Sequence, residues 1–142
     1  MLAPTIQIAG LACIVLVSLF SLVVGGRPER VATIASVSAL VISLRVQRIG
    51  ADTLQIGVLA VDLVLLGVFF LIAFLSKRHW VLWTVSFQLL AVATHVGFIV
   101  APSPRVAYLT LLAVWSYVVV GSIGVGAALH LRGRLQERHK IG

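Results

Sequence analysis

Acidic residues are nearly missing from this chain. Asp and Glu together number four in 142 residues, against 11 Lys and Arg. Charge of either sign makes up 11% of the sequence, where a soluble domain carries about a quarter. Cys13 is the one cysteine, so no internal disulfide and no cysteine-based metal site can form. It reads as a small apolar residue of the first helix. The spacings that announce chemistry are missing too: no HExxH, no CxxC, no GxSxG, no Walker loop, and no GxGxxG after a strand. The run "GSIGVGAA" at 121–128 lies inside an apolar segment and reads as a packing face. Only His95 lies well inside an apolar run, so one chain cannot supply a two-histidine haem site. These absences leave no recognisable nucleophile. The expectation is no enzyme, no cofactor and no metal.

What the chain does have is hydrocarbon, 61% of its residues. It comes in runs of about 14 to 24 residues, the length of a bilayer helix, and not in the alternating ~10-residue pattern of barrel strands. Five segments can be read: about 5–25, 31–49, 55–75, 80–100 and 106–130. "GGRPER" closes the first, "SKRHW" follows the third, and the two prolines of "APSPR" follow the fourth. The fold expected is an all-α integral membrane bundle of five transmembrane helices with short loops. It becomes four if 31–49 does not span. A basic cytoplasmic tail occupies 131–142, into which the last helix can continue. The start "MLAPTIQIAG" lacks the basic region of a signal peptide, so the first helix is expected to be retained.

The segment 31–49 needs separate argument. Only residues 31 to 44 precede Arg45, about 21 Å of helix against a ~30 Å hydrocarbon core. Arg45 and Arg48 can snorkel to the headgroups and extend it. Charge distribution favours the span. With five crossings, one side holds Arg45, Arg48 and Arg105, and the other holds Arg27, Arg30, Lys77, Arg78, Arg132, Arg134, Arg138 and Lys140. With four crossings the two sides would be nearly equal and no orientation would be specified. The N-terminus is therefore expected outside and the C-terminus in the cytoplasm. The same placement argues against nucleic acid as a partner despite a net charge of +7, because the cations pair up at the ends of apolar runs, where they meet headgroups. Trp80, Trp83 and Tyr108 fall at the boundaries and read as interfacial aromatics. His79, His130 and His139 read as solvated.

Asp62 interrupts "QIGVLAVDLVLLGVFFLIAF" at 55–74. A carboxylate in the hydrocarbon costs at least ~2.5 kcal/mol near its centre. Asp62 lies seven residues into the third helix, about 10 Å deep, and His95 five residues from the end of the fourth, about 8 Å deep. Antiparallel neighbours thus bring an acid and an imidazole to one level. Gln55 shares a face with Asp62. Thr84, Gln88, Ala91 and His95 draw one stripe down the fourth helix. The fifth offers Thr110, Ala113, Tyr117, Gly121, Gly124 and Ala128, whose lower half is small enough for close packing. The expected polar cluster is Asp62, His95, Gln88 and Tyr117, with Gln55 and Trp115, and the expected packing positions are Gly121, Gly124 and Ala128. Two readings of the cluster follow. It is internal glue, at ~0.6 to 2 kcal/mol per hydrogen bond, or it titrates as part of a proton or ligand path.

The stretches "FQLLAVATHV" at 87–96, "WSY" at 115–117, "RPER" at 27–30 and "GVLAVDL" at 57–63 together resemble a group of small multi-spanning inner-membrane proteins of alphaproteobacteria. The resemblance covers most of the chain and implies a bacterial inner membrane but no activity. The small multidrug resistance transporters, by contrast, carry their essential glutamate in the first helix, where this chain has no carboxylate. The functional expectation is an accessory, assembly or scaffold component of the membrane. Its partner is the lipid bilayer, with a homo-oligomer or larger complex left open. The alternative is a small proton-linked transporter or channel using the Asp–His pair.

Overall fold

A computed structural model describes residues 2–47, 54–101 and 104–141, with side chains over 8–46, 56–101, 104 and 106–140. The described residues form five α-helices: α1 (Leu2–Val24), α2 (Arg27–Gln47), α3 (Leu54–Ser76), α4 (His79–Val100) and α5 (Arg105–Ile141). Three of them carry stretches long and apolar enough to cross a membrane: Ile56–Ser76, His79–Val100 and Val106–Lys140. Within the residues whose side chains are described, the apolar part of α1 is Ile8–Val24, and α2 does not qualify. The reason for α2 is visible in its ends, where Arg27, Glu29, Arg30 and Arg45 crowd the apolar centre. The loop between α2 and α3, with Arg48, lies outside the described residues.

The α2 helix begins four residues earlier than its hydropathy suggests. Pro28 is its second residue, where a missing N–H removes no helical hydrogen bond. The turn before it, Gly25-Gly26, is so tight that a side chain at Gly25 cannot fit. A Cβ on Gly25 would meet the Ser21 carbonyl oxygen and lie 2.7 Å from Glu29 Cβ. The α3–α4 turn is equally short, with Lys77 at φ 49°, the left-handed conformation that stops α3.

The helices stand in a ring. Each lies against its sequence neighbour except across the α1–α5 closure, where first and last meet, and α2 also touches α5 across the middle. Packing along the ring is uneven. At the end holding the two short turns, Ala32, Phe69, Ile72, Val81, Val85 and Ile123 form a close core. Towards the other end the centre is hollow. A cavity of about 410 Å³ opens there, with all five helices contributing to its wall. The outside of the ring is apolar. Leu63, Val64, Phe70, Leu71, Phe74 and Leu75 of α3 are all exposed. A surface this greasy is covered by lipid or protein.

Two expectations about packing are corrected here. A Cβ on Gly121 would meet nothing within 4 Å, so this glycine is no contact point. Gly124 approaches Val17 of α1, and Gly126, which the small-residue stripe omits, lies under the Trp80 ring. Ala128 is half-buried, whereas Ala127 beside it is fully buried. The face that α5 buries at this level lies about one residue out of rotation from the stripe.

Candidate functional site

Four side chains meet on the α3–α4–α5 side of the hollow half. His95 Nε2 lies 2.8 Å from Asp62 Oδ2. Gln88 Nε2 donates to Asp62 Oδ1 at 3.0 Å and to the Asp62 main-chain oxygen at 3.3 Å. On the far side of the imidazole, Tyr108 Oη lies 2.6 Å from His95 Nδ1. His95 is 1% exposed, whereas the Asp62 side chain keeps 18% of its surface open. Asp62 and Gln88 both line the central cavity. His95 and Tyr108 sit behind them, and Phe98 packs on the tyrosine ring at 4.4 Å.

The helices explain why these residues meet. Gln88, Ala91 and His95 follow one another at three and four residues on α4, and all three are buried. Asp62 and His95 are nearly level because α3 and α4 run in opposite directions from a two-residue turn. Tyr108 is three residues into α5 and His95 five residues from the end of α4, so these two are level as well.

With Asp62 ionised, the row has one self-consistent hydrogen-bond order. With the imidazole proton on Nε2, His95 donates to the Asp62 carboxylate and accepts the Tyr108 hydroxyl proton at Nδ1. Every polar atom of the histidine is then satisfied in a place water does not reach. Adding a proton at Asp62 and moving the imidazole proton to Nδ1 gives the reverse order, in which Asp62 donates to Nε2 and Nδ1 donates to the Tyr108 hydroxyl oxygen, without moving a heavy atom. Chemically, the row can hold a carboxylate in an apolar wall and exchange a proton with it from behind. The phenol is shielded from the cavity, so Asp62 is the group a ligand or water would meet.

The other expected members lie elsewhere. Tyr117 is not in the cluster. It is 40% exposed, and its hydroxyl lies against Gly10 of α1. Its depth matches Gln88, but it follows Tyr108 by nine residues, about half a turn out of phase at ~100° per residue. One tyrosine therefore faces α4 and the other α1. Trp115 donates to Thr94 Oγ1 at 3.0 Å, a tie between α5 and α4 outside the cluster. Thr110 bonds its own helix at Val106. The Gln55 side chain lies outside the described residues.

A second polar cluster, at the turn end, was not expected. Glu29 is fully buried. Its Oε1 accepts Trp80 Nε1 at 3.0 Å and Arg78 Nη1 at 3.3 Å. Arg78 Nη2 is 3.5 Å from His130 Nδ1. Trp80 and Tyr108 therefore leave the interfacial roles assigned to them, and the half-buried His130 its solvated one. Trp83, 64% exposed, remains on the outer surface. A signal for Trp80 was present: it lies four residues before Thr84, on the stripe that Gln88 and His95 continue. Among the described residues no cluster of His, Cys, Asp and Glu could hold a metal ion.

No protein-family model matches this chain, and no curated protein or solved structure matches it significantly.

Proposed function

We propose that the chain is a small multi-pass membrane protein that moves protons, or a ligand coupled to protons, through its central cavity, with Asp62 as the working carboxylate. One observation carries this reading. Asp62 faces a cavity of about 410 Å³ on one side and a histidine–tyrosine row on the other. Glue between helices needs only the pair. It does not need a hollow in front of the acid. His95 acts as the partner that gives and takes the proton, Tyr108 sets the imidazole's tautomer, and Gln88 fixes the carboxylate's orientation.

Five crossings fit this reading. Each of α1 to α4 has 21 to 23 residues, about 31 to 35 Å of helix, enough for a ~30 Å core. The one acidic charge of α2 is matched inside the bundle, because Glu29 meets Arg78. The basic residues of the turn end and of α5 favour the cytoplasm of a bacterial inner membrane for that end. The accessory reading keeps one supporting observation: α5 runs on past the bundle, exposed from Arg132 to Lys140, and offers a surface to a partner.

The test is proton flux into proteoliposomes under a potassium-diffusion potential. Wild type should acidify the lumen faster than empty vesicles, and Asp62→Asn and His95→Ala should each lose most of that rate. Wild-type flux in both variants, with lowered thermal stability, would leave the cluster as glue and return the protein to an assembly role.

A further inference from the structure

Resting on the transport reading above, we propose that Glu29 is the second carboxylate of the route, cut off from the Asp62 cavity by a collar of hydroxyl and branched aliphatic side chains. The inner face of α2 carries Glu29, Thr33, Ser36 and Ser43 at spacings of four, three and seven, a single line down the helix. Ser36 and Ser43 line the cavity that Asp62 faces. Ser36 also lines a second, smaller space below it, with Ser18 and Ser21 of α1, Thr33 of α2, and Val120 and Ile123 of α5. This collar leaves no room for a water molecule. Beyond it lies Glu29, whose backbone carbonyl accepts the Thr33 hydroxyl at 2.8 Å.

Two buried atoms mark the line as more than packing. Ser21 Oγ and Glu29 Oε2 have no hydrogen-bond partner among the described residues. Their residues meet at the α1–α2 turn, where a Cβ on Gly25 would touch both the Ser21 carbonyl oxygen and Glu29 Cβ. The other carboxylate oxygen, Oε1, takes both structural bonds, from Trp80 and Arg78. The groups around Glu29 divide the same way: Trp80 and Arg78 hold Oε1, while Oε2 turns towards Gly26, near His130 of α5. Arg30 of α2 is engaged with the Gly25 and Val23 carbonyls. The geometry leaves Oε2 as the carboxylate oxygen open to a new partner.

The transfer balances simply. The O–H bond of protonated Asp62 breaks as water in the cavity takes the proton. Once the collar widens by a water's width, a chain of waters held by Ser36, Thr33 and Ser21 passes it on. An O–H bond forms at Glu29 Oε2, so one carboxylate gains the charge the other loses. The hydroxyls of Thr33 and Ser36 donate to their own backbone and keep lone pairs to hold those waters. The closed collar separates the cavity from the turn end in this conformation.

Proton flux in the same vesicles tests the collar and Glu29 apart from Asp62. Glu29→Gln keeps an oxygen for Trp80 and Arg78 and removes the proton site. It should lower the rate tenfold or more without lowering the melting temperature in proportion. Ile123→Ala thins the collar and should raise the rate threefold or more, a gain that Asp62→Asn must abolish. If Asp62→Asn stops flux while Glu29→Gln leaves it at the wild-type rate, Glu29 is a structural ion and this inference fails alone. Should Glu29→Gln not fold, Ile123→Ala decides, and an unchanged rate there overturns the collar. Wild-type vesicles no faster than empty ones overturn both the route and the reading beneath it.

Discussion

Tyr108→Phe removes one oxygen from the middle of the bundle and keeps the ring that packs on Phe98. That oxygen is 2.6 Å from His95 Nδ1. The imidazole is 1% exposed, so no water replaces the lost donor. An unsatisfied buried acceptor costs about 1–3 kcal/mol. Hydrogen bonds between membrane helices measure somewhat lower, up to ~1.7 kcal/mol, because the unfolded chain in lipid also finds partners. We expect about 1.5 kcal/mol of lost stability in reversible unfolding from mixed detergent micelles. His95→Ala removes the same bond and the Asp62 contact together. The double variant should therefore lose less than the sum, with a coupling of about 1 kcal/mol. Tyr117→Phe serves as the control. It lies on the opposite face of α5 and should change stability by less than about 0.5 kcal/mol. Additive losses from Tyr108→Phe and His95→Ala, within ~0.3–0.5 kcal/mol, would show that the tyrosine and histidine do not interact and would remove Tyr108 from the site.

Other outcomes follow from the packing. Gly126→Ala sets a Cβ 2.6 Å from the Trp80 ring and should destabilise by about 1–3 kcal/mol, while Gly121→Ala, with nothing within 4 Å, should be neutral in the same melt. Arg78→Ala strands the buried Glu29 carboxylate. Fully buried pairs lose about 3–5 kcal/mol in this way, and because the Arg78 side chain is 37% exposed the lower end or less is expected. In a Cys13→Ser background, Arg27→Cys and Arg45→Cys should label with an impermeant maleimide from opposite sides of the membrane. Labelling of both from one side breaks the five-crossing topology. Trp80→Phe should raise the susceptibility of the turn end to backbone hydrogen exchange, since Glu29 loses one of its two donors there.

Much of the site could be read from the chain, and the limits of that reading are physical. Asp62 and His95 could be matched because rise per residue is constant and short turns keep antiparallel neighbours in step. Gln88 followed from the stripe on α4. Depth alone, however, leaves rotation free. Tyr117 had the right depth for Gln88 and the wrong azimuth, whereas Tyr108 had both properties but sits near a helix end, where aromatics also favour headgroups. Glu29 was hidden by Pro28, which reads as a turn although the first turn of a helix accepts it. The hydroxyl line on α2 was spelled out at helical spacing, yet serine and threonine so often bond their own backbone that the spacing carried little weight. The cavity had no signature at all, because a void is a property of how five surfaces fail to meet.

The α5 helix is continuous from the level of the Tyr108 phenol to Lys140. It crosses the bundle and ends well clear of it, about 55 Å of unbroken rod. A stiff rod carries a push from one end to the other with little loss. Any shift or roll of α5 that makes way beside Ile123 must also swing Arg132, Arg134, Arg138 and Lys140 beyond the end of the bundle. Under the proposed transport reading, the internal state of the bundle is thus written into the position of a positively charged mast.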